Sequence, residues 1–147
     1  MWSDALLTAE RSHLRLLTVW GAGSVIVGTL LLALLAVRSA RSPLLSHFAM
    51  QTAAWGAIDL VLVLLAWRGL AGRDYESFTR LDRLLWLNAG LDAGYIAVGI
   101  TIAVAAWTLG RRLGGVGAGI GIVVQGLALL FLDARFISVL NRLLIPR

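Results

Sequence analysis

The chain has 147 residues, of which 59% are apolar and only 14% charged, with a formal net charge of +5. A soluble domain carries nearer one-quarter charged residues, and one this small could not hide so much apolar surface from water. The composition excludes an ordinary water-soluble domain and predicts a single integral membrane domain over residues 1–147.

Four apolar stretches follow in chain order, each near the ~20 residues a bilayer-crossing helix needs. The first covers 16–37 without a charged residue. A secretory signal would have a shorter apolar core, so this stretch is read as a retained span. The second covers 44–67. Ser42 and Pro43 precede it as an N-cap with proline at the first helical position. The third covers 84–108. Thr79 and Asp82 have capping-box spacing before it, and Gly110 stands where a left-handed residue would end it. The fourth covers 116–136. The tail from Phe136 to Ile145 either continues that helix or lies on the surface as an amphipathic segment.

Helices are the form expected, because an isolated strand would leave its backbone unsatisfied in lipid. The connections around 38–43 and 109–115 are short, so the first two spans and the last two form antiparallel hairpins. The fold class expected is all-α, a bundle of four transmembrane helices built from two hairpins. No soluble domain is expected outside the bilayer. Trp20, Trp67, Trp86 and Trp107 fall near the predicted interfaces, as an aromatic belt requires.

All 13 basic residues are Arg, and they lie in the gaps between apolar runs, which fits topology better than a nucleic-acid surface. Arg11, Arg15, Arg68, Arg73, Arg80, Arg83, Arg135, Arg142 and Arg147 fall on one side. Arg38, Arg41, Arg111 and Arg112 fall on the other. The richer side is expected to be cytoplasmic, with both termini inside. The chain has no Cys, which removes disulfides and thiolate chemistry and leaves the compartment open.

A faint internal repeat is visible. Ser24 to Gly28 (Ser-Val-Ile-Val-Gly) resembles Tyr95 to Gly99 (Tyr-Ile-Ala-Val-Gly), 71 residues on. Gln51 and Asp59 share their spacing with Gln125 and Asp133, 74 residues on. A hairpin duplicated in parallel orientation would produce this.

Ionisable residues inside the spans are the informative feature, because each is costly in hydrocarbon. His47, Gln51, Trp55 and Asp59 follow at i+4 and share one helix face. Asn88, Asp92, Tyr95 and Gly99 share another. The fourth span adds Gln125 and Asp133. At 1.5 Å per residue, Asp59 and Asp92 both lie roughly 12 Å inside the same interface, with Asp133 nearer to it. Three carboxyl groups therefore converge, and Arg15, Arg83 and Arg135 are the cations expected to reach them. Close carboxylates in low dielectric can hold and release a proton. The simpler reading is that these groups and Asn88, Gln51 and Gln125 bridge helices by hydrogen bonds, a routine packing device in membranes. Tyr95 is expected to place its hydroxyl on a neighbouring Asp or Asn, and Trp55 to pack in the core. His47 and His13 lie on opposite sides, so no metal site is expected. No cofactor or catalytic residue is expected either.

Small residues recur at i+4 in every span. Gly28, Gly56, Gly90, Gly94, Gly117 and Gly121 are expected to let helices approach closely. The glycine-rich stretch 114–121 lacks the Lys-Ser/Thr of a phosphate loop and opens an apolar span.

The pattern Asn88-x3-Asp92-x2-Tyr95-x3-Gly99, with Gln51-x3-Trp55-Gly56-x2-Asp59 before it, resembles an uncharacterised family of small bacterial four-helix membrane proteins. The resemblance implies a multi-pass protein of the bacterial inner membrane and brings no assigned activity. Small multidrug transporters share the span count but rely on an acidic residue in the first span, which this chain lacks. The leading functional expectation is a non-enzymatic membrane protein that works by association, as a homo-oligomer or within a larger membrane complex, with lipid as its constant partner. The alternative is a small proton-coupled transporter or channel using Asp59, Asp92 and Asp133.

Overall fold

The computed structural model describes residues 2–72 and 74–144, apart from the side chains of Trp2 and Leu144. Arg73, Ile145 and Arg147, used in the topology and tail readings, lie outside the described residues. Four helices fill the chain: α1 (Trp2–Val37), α2 (Pro43–Arg68), α3 (Tyr75–Thr108) and α4 (Leu113–Leu144). All four are long and apolar enough to cross a membrane, and the described residues contain no strand.

Local chemistry accounts for the helix ends. Ser42 caps α2 by accepting from the Leu45 amide, with Pro43 opening the helix. Gly110 takes φ +116° just after α3, a conformation glycine adopts without a Cβ penalty. The start of α3 differs from the capping-box expectation. Asp74 is the N-cap and accepts from the Ser77 amide at 2.8 Å and from its hydroxyl. Thr79 lies a full turn inside the helix and returns its hydroxyl to the Tyr75 carbonyl.

The Ser77 hydroxyl and amide hold the Asp74 carboxyl below the usual carboxylate range. A depressed folded-state value means the cap is complete above the ordinary value near 4 and loosens only as pH falls through the lowered one. Asp74→Ala is expected to speed hydrogen exchange at the Ser77 and Phe78 amides at neutral pH. Unchanged protection there would rule the cap out.

The helices outrun the bilayer. The 36 residues of α1 span roughly 54 Å, against a hydrocarbon core of about 30 Å. The start of α1, the start of α3 and the end of α4 lie at one end of the bundle and pack together. Leu6, Phe78, Leu85, Phe136, Ile137 and Leu140 form the apolar core there. The helices thus extend beyond the predicted spans at this end. The segment before residue 16 is helical and buries Leu6 and Leu14, and the tail continues α4 instead of lying apart from it. Leu and Phe that would otherwise face water or headgroups gain by packing on one another.

The two hairpins share one packing geometry. A side chain at Gly28 would strike the Ala49 carbonyl and Ala53 amide, and one at Gly99 would strike the Gly119 carbonyl and Val123 amide. Gly56 sits on the Gly21 carbonyl and Val25 amide, and Gly126 on the Asp92 carbonyl and Ile96 amide. The equivalent residues are 71 apart between α1 and α3 and 70 apart between α2 and α4. The α2–α4 register thus differs by one helical turn from the 74 suggested by Gln51/Gln125 and Asp59/Asp133. Backbone contact sets the repeat, and the polar side chains follow a different one. Among the described residues, α4 alone brings its backbone close to all three other helices, while that of α3 approaches only α4.

Candidate functional site

The buried face of α1 runs through Leu6, Glu10, His13, Leu14, Gly21, Ser24 and Gly28, at spacings of three, four and seven with one i+1 step. Arg11 and Arg15 fall on the opposite face and are exposed. From α2 the buried face brings Gly56 and Asp59, from α3 Asp92 and Gly99, and from α4 Gln125 and Asp133. All four helices therefore deliver polar groups to one interior.

Two polar arms result. In the first, the Trp20 indole donates to Gln125 Oε1 at 3.1 Å, and Gln125 Nε2 donates to Asp59 Oδ2. An indole can only donate, so it takes the amide oxygen of Gln125 and turns the NH2 toward the carboxyl. In the second, His13 Nε2 meets Asp133 Oδ1 at 3.3 Å, both side chains being buried. The imidazole stacks on Phe136, with ring centroids 4.4 Å apart and planes 13° from parallel.

Asp92 is within electrostatic range of one acid from each arm, Asp133 and Asp59. It is only 4% exposed, and its Oδ2 has no hydrogen-bond partner. His13 Nδ1 is likewise buried and unpartnered. Unpartnered polar atoms are rare in interiors and ask for a ligand, a proton or a water.

The other predicted residues fall outside these arms. Asn88 and Gln51 are half-buried and join neither of them. Gln51 packs its Cβ where a side chain on Gly121 would go. Tyr95 does not bond an Asp or Asn. Its ring lies 5.0 Å from that of Trp55, bridging α3 to α2. Trp20 turns its indole nitrogen to Gln125. Arg15, Arg83 and Arg135 are exposed, so among the described residues the basic side chain that meets a carboxylate here is His13. The expectation of Arg pairing fails because helix periodicity turns each Arg away from the bundle. The Glu10–His13 pair at i+3, in register with Gly21, Ser24 and Gly28, is the signal that could have found the second arm.

Among the described residues the buried charged groups are Glu10, Asp59, Asp92 and Asp133, with His13 the one buried base. An ionised side chain in mid-bilayer costs about 2.5–3.5 kcal/mol. Asp59 and Asp92, deep in the spans, would together cost roughly 5–7 kcal/mol if both were ionised and uncompensated, comparable with the whole stability of a small domain. A proton or a hydrogen-bond donor is therefore expected to accompany each. No three of the described carboxyl and imidazole groups come together in a way that could hold a metal ion.

Gln125→Leu is expected to strand Asp59 without its donor and destabilise the bundle by about 2 kcal/mol in reversible unfolding from mixed micelles. Wild-type stability in that variant would mean that the Trp20–Gln125–Asp59 arm contributes nothing.

Residues 16–134, which contain Trp20, Asp59, Asp92, Gln125 and Asp133, match a family of unknown function, DUF6992. The chain belongs to the DUF6992 family. His13 and Glu10 precede the segment that matches DUF6992, so the second arm draws its base from outside it. No curated protein and no solved structure matches the chain.

Proposed function

We propose that this protein is a small proton-coupled membrane transporter whose exchangeable proton resides on Asp92 and its neighbours Asp133 and Asp59. The observation that supports this reading is the unpartnered Asp92 oxygen, buried among other acids where a structural bridge would have found a donor. The His13–Asp133 pair and Glu10 lie toward the terminal end of the bundle and provide a route by which a proton reaches Asp92. By the Arg distribution that end is cytoplasmic, and the resemblance to small bacterial four-helix membrane proteins implies the inner membrane of a bacterium.

The test is proton flux in liposomes under an imposed pH gradient. Wild-type protein is expected to conduct or exchange protons, and Asp92→Asn to abolish this while folding normally. A folded Asp92→Asn protein with unchanged flux would sink the reading.

A second reading is association. Gly90 and Gly94 have nothing within 4 Å of an added Cβ and lie on α3 beside exposed Trp86, Leu87 and Leu91. Small residues on an open helix face allow close approach of another transmembrane helix. Native mass measurement in lipid decides this. A stable lone monomer would end it, and a stoichiometric second protein would make the chain an accessory subunit.

A further inference from the structure

A groove of 540 Å³ runs between α1, α2 and α4. Trp20, Gly23, Ser24, Phe48, Thr52 and Phe131 are among the residues that line it. It faces outward, since lining residues Val19 and Phe131 are 71% and 69% exposed. In a bilayer that surface meets lipid, so the groove is reached sideways from the membrane. Its volume lies within the range of small-molecule sites.

Three features decide what chemistry suits it. Trp20, Phe48 and Phe131 supply aromatic rings to its walls, and ring faces attract cations. The Trp20 indole that lines the groove also donates to Gln125, which donates to Asp59, so the acidic interior begins one side chain behind the wall. Among the described residues that interior contains Asp59, Asp92 and Asp133, with His13 the one imidazole. An apolar groove backed by negative charge in low dielectric favours an apolar molecule that carries positive charge.

We infer that this groove binds a lipophilic cation entering from the bilayer, with its apolar groups against the aromatic walls and its charge drawn to the interior behind Trp20 and Gln125. The inference deepens the transport reading and rests on it for the acidic interior, and it supplies the class of substrate. Bound cation and bound proton then compete for one negative site. The groups involved are Asp92 on α3, Asp133 on α4, Asp59 on α2, and Glu10 and His13 on α1.

The experiment uses the full chain in lipid nanodiscs with two probes of nearly equal size and opposite charge, tetraphenylphosphonium and tetraphenylborate. Binding is measured against empty nanodiscs. The phosphonium is expected to bind saturably, and the borate only to partition as it does into lipid. Gly23→Leu supplies the structural control. A Cβ at Gly23 meets nothing within 4 Å, so the leucine fits the fold and fills the groove. It is expected to weaken phosphonium binding roughly tenfold or more.

Equal behaviour of the two probes, or undiminished binding in Gly23→Leu, overturns the inference. So does a groove occupied only by lipid acyl chains with no saturable phosphonium binding. Proton flux without phosphonium binding would remove the substrate class and leave the transport reading standing. Phosphonium binding without any proton flux would do the reverse.

Discussion

Asp92→Asn is expected to keep the fold and lose the proton. Asparagine has nearly the same shape as the carboxyl it replaces, and Asp92 Oδ2 makes no hydrogen bond that the change would break. Unfolding in mixed micelles should therefore shift by less than about 1 kcal/mol, because no hydrogen bond is lost. The titration should change completely. In infrared difference spectra on acidification, the wild type should show a protonated carboxyl band that the variant lacks. Asp133→Leu is the informative contrast. It removes the acceptor facing His13 Nε2 and leaves a buried imidazole without its partner. The expected cost is about 1–3 kcal/mol, typical of a buried polar group left without its partner. If both variants were equally destabilised, Asp92 would be a packing residue and its place in proton transfer would fall.

Gly117→Val should produce the largest loss of stability in the molecule. A Cβ at Gly117 would lie 2.0 Å from the Leu44 carbonyl oxygen, and that backbone is held by the α2 N-cap. Relief requires α4 and α2 to separate. Because α4 touches all three other helices, the disturbance spreads through the bundle. Overpacking of this kind costs up to about 3 kcal/mol and occasionally more. Gly90→Val is the matched control. It adds the same side chain to a place with nothing within 4 Å, and the isolated chain should tolerate it within about 0.5 kcal/mol. Any change in native mass on Gly90→Val would report a partner helix on α3. Equal tolerance of both valines would show that the α2–α4 contact is not tightly packed.

The amino-acid sequence by itself determined the four helices and their hairpin order, and it marked the acids within the apolar runs. Runs of about 20 apolar residues have one stable form in lipid, and short connections force neighbours to pair. Asp59, Asp92, Asp133 and Gln125 were legible for the same reason, because a polar residue inside such a run is conspicuous. His13 and Glu10 were not. They lie before residue 16, where Arg11 and Arg15 break the apolar run, and only packing against Phe136 and Asp133 draws that turn of α1 into the bundle. The glycines divide in the same way. Spacing treats Gly90, Gly94, Gly117 and Gly121 alike, yet two meet open space and two meet another helix. Trp20 has the position of an interface anchor, and its indole nitrogen turns to Gln125. Each of these outcomes depends on the rotation of one helix about its axis relative to its neighbours. That rotation is set by the closest backbone contacts, at Gly28, Gly56, Gly99, Gly117 and Gly119, and these pair residues far apart in the chain. A pattern of apolar runs contains the length and order of helices, while the angle at which each helix faces the next is a property of the packed bundle alone.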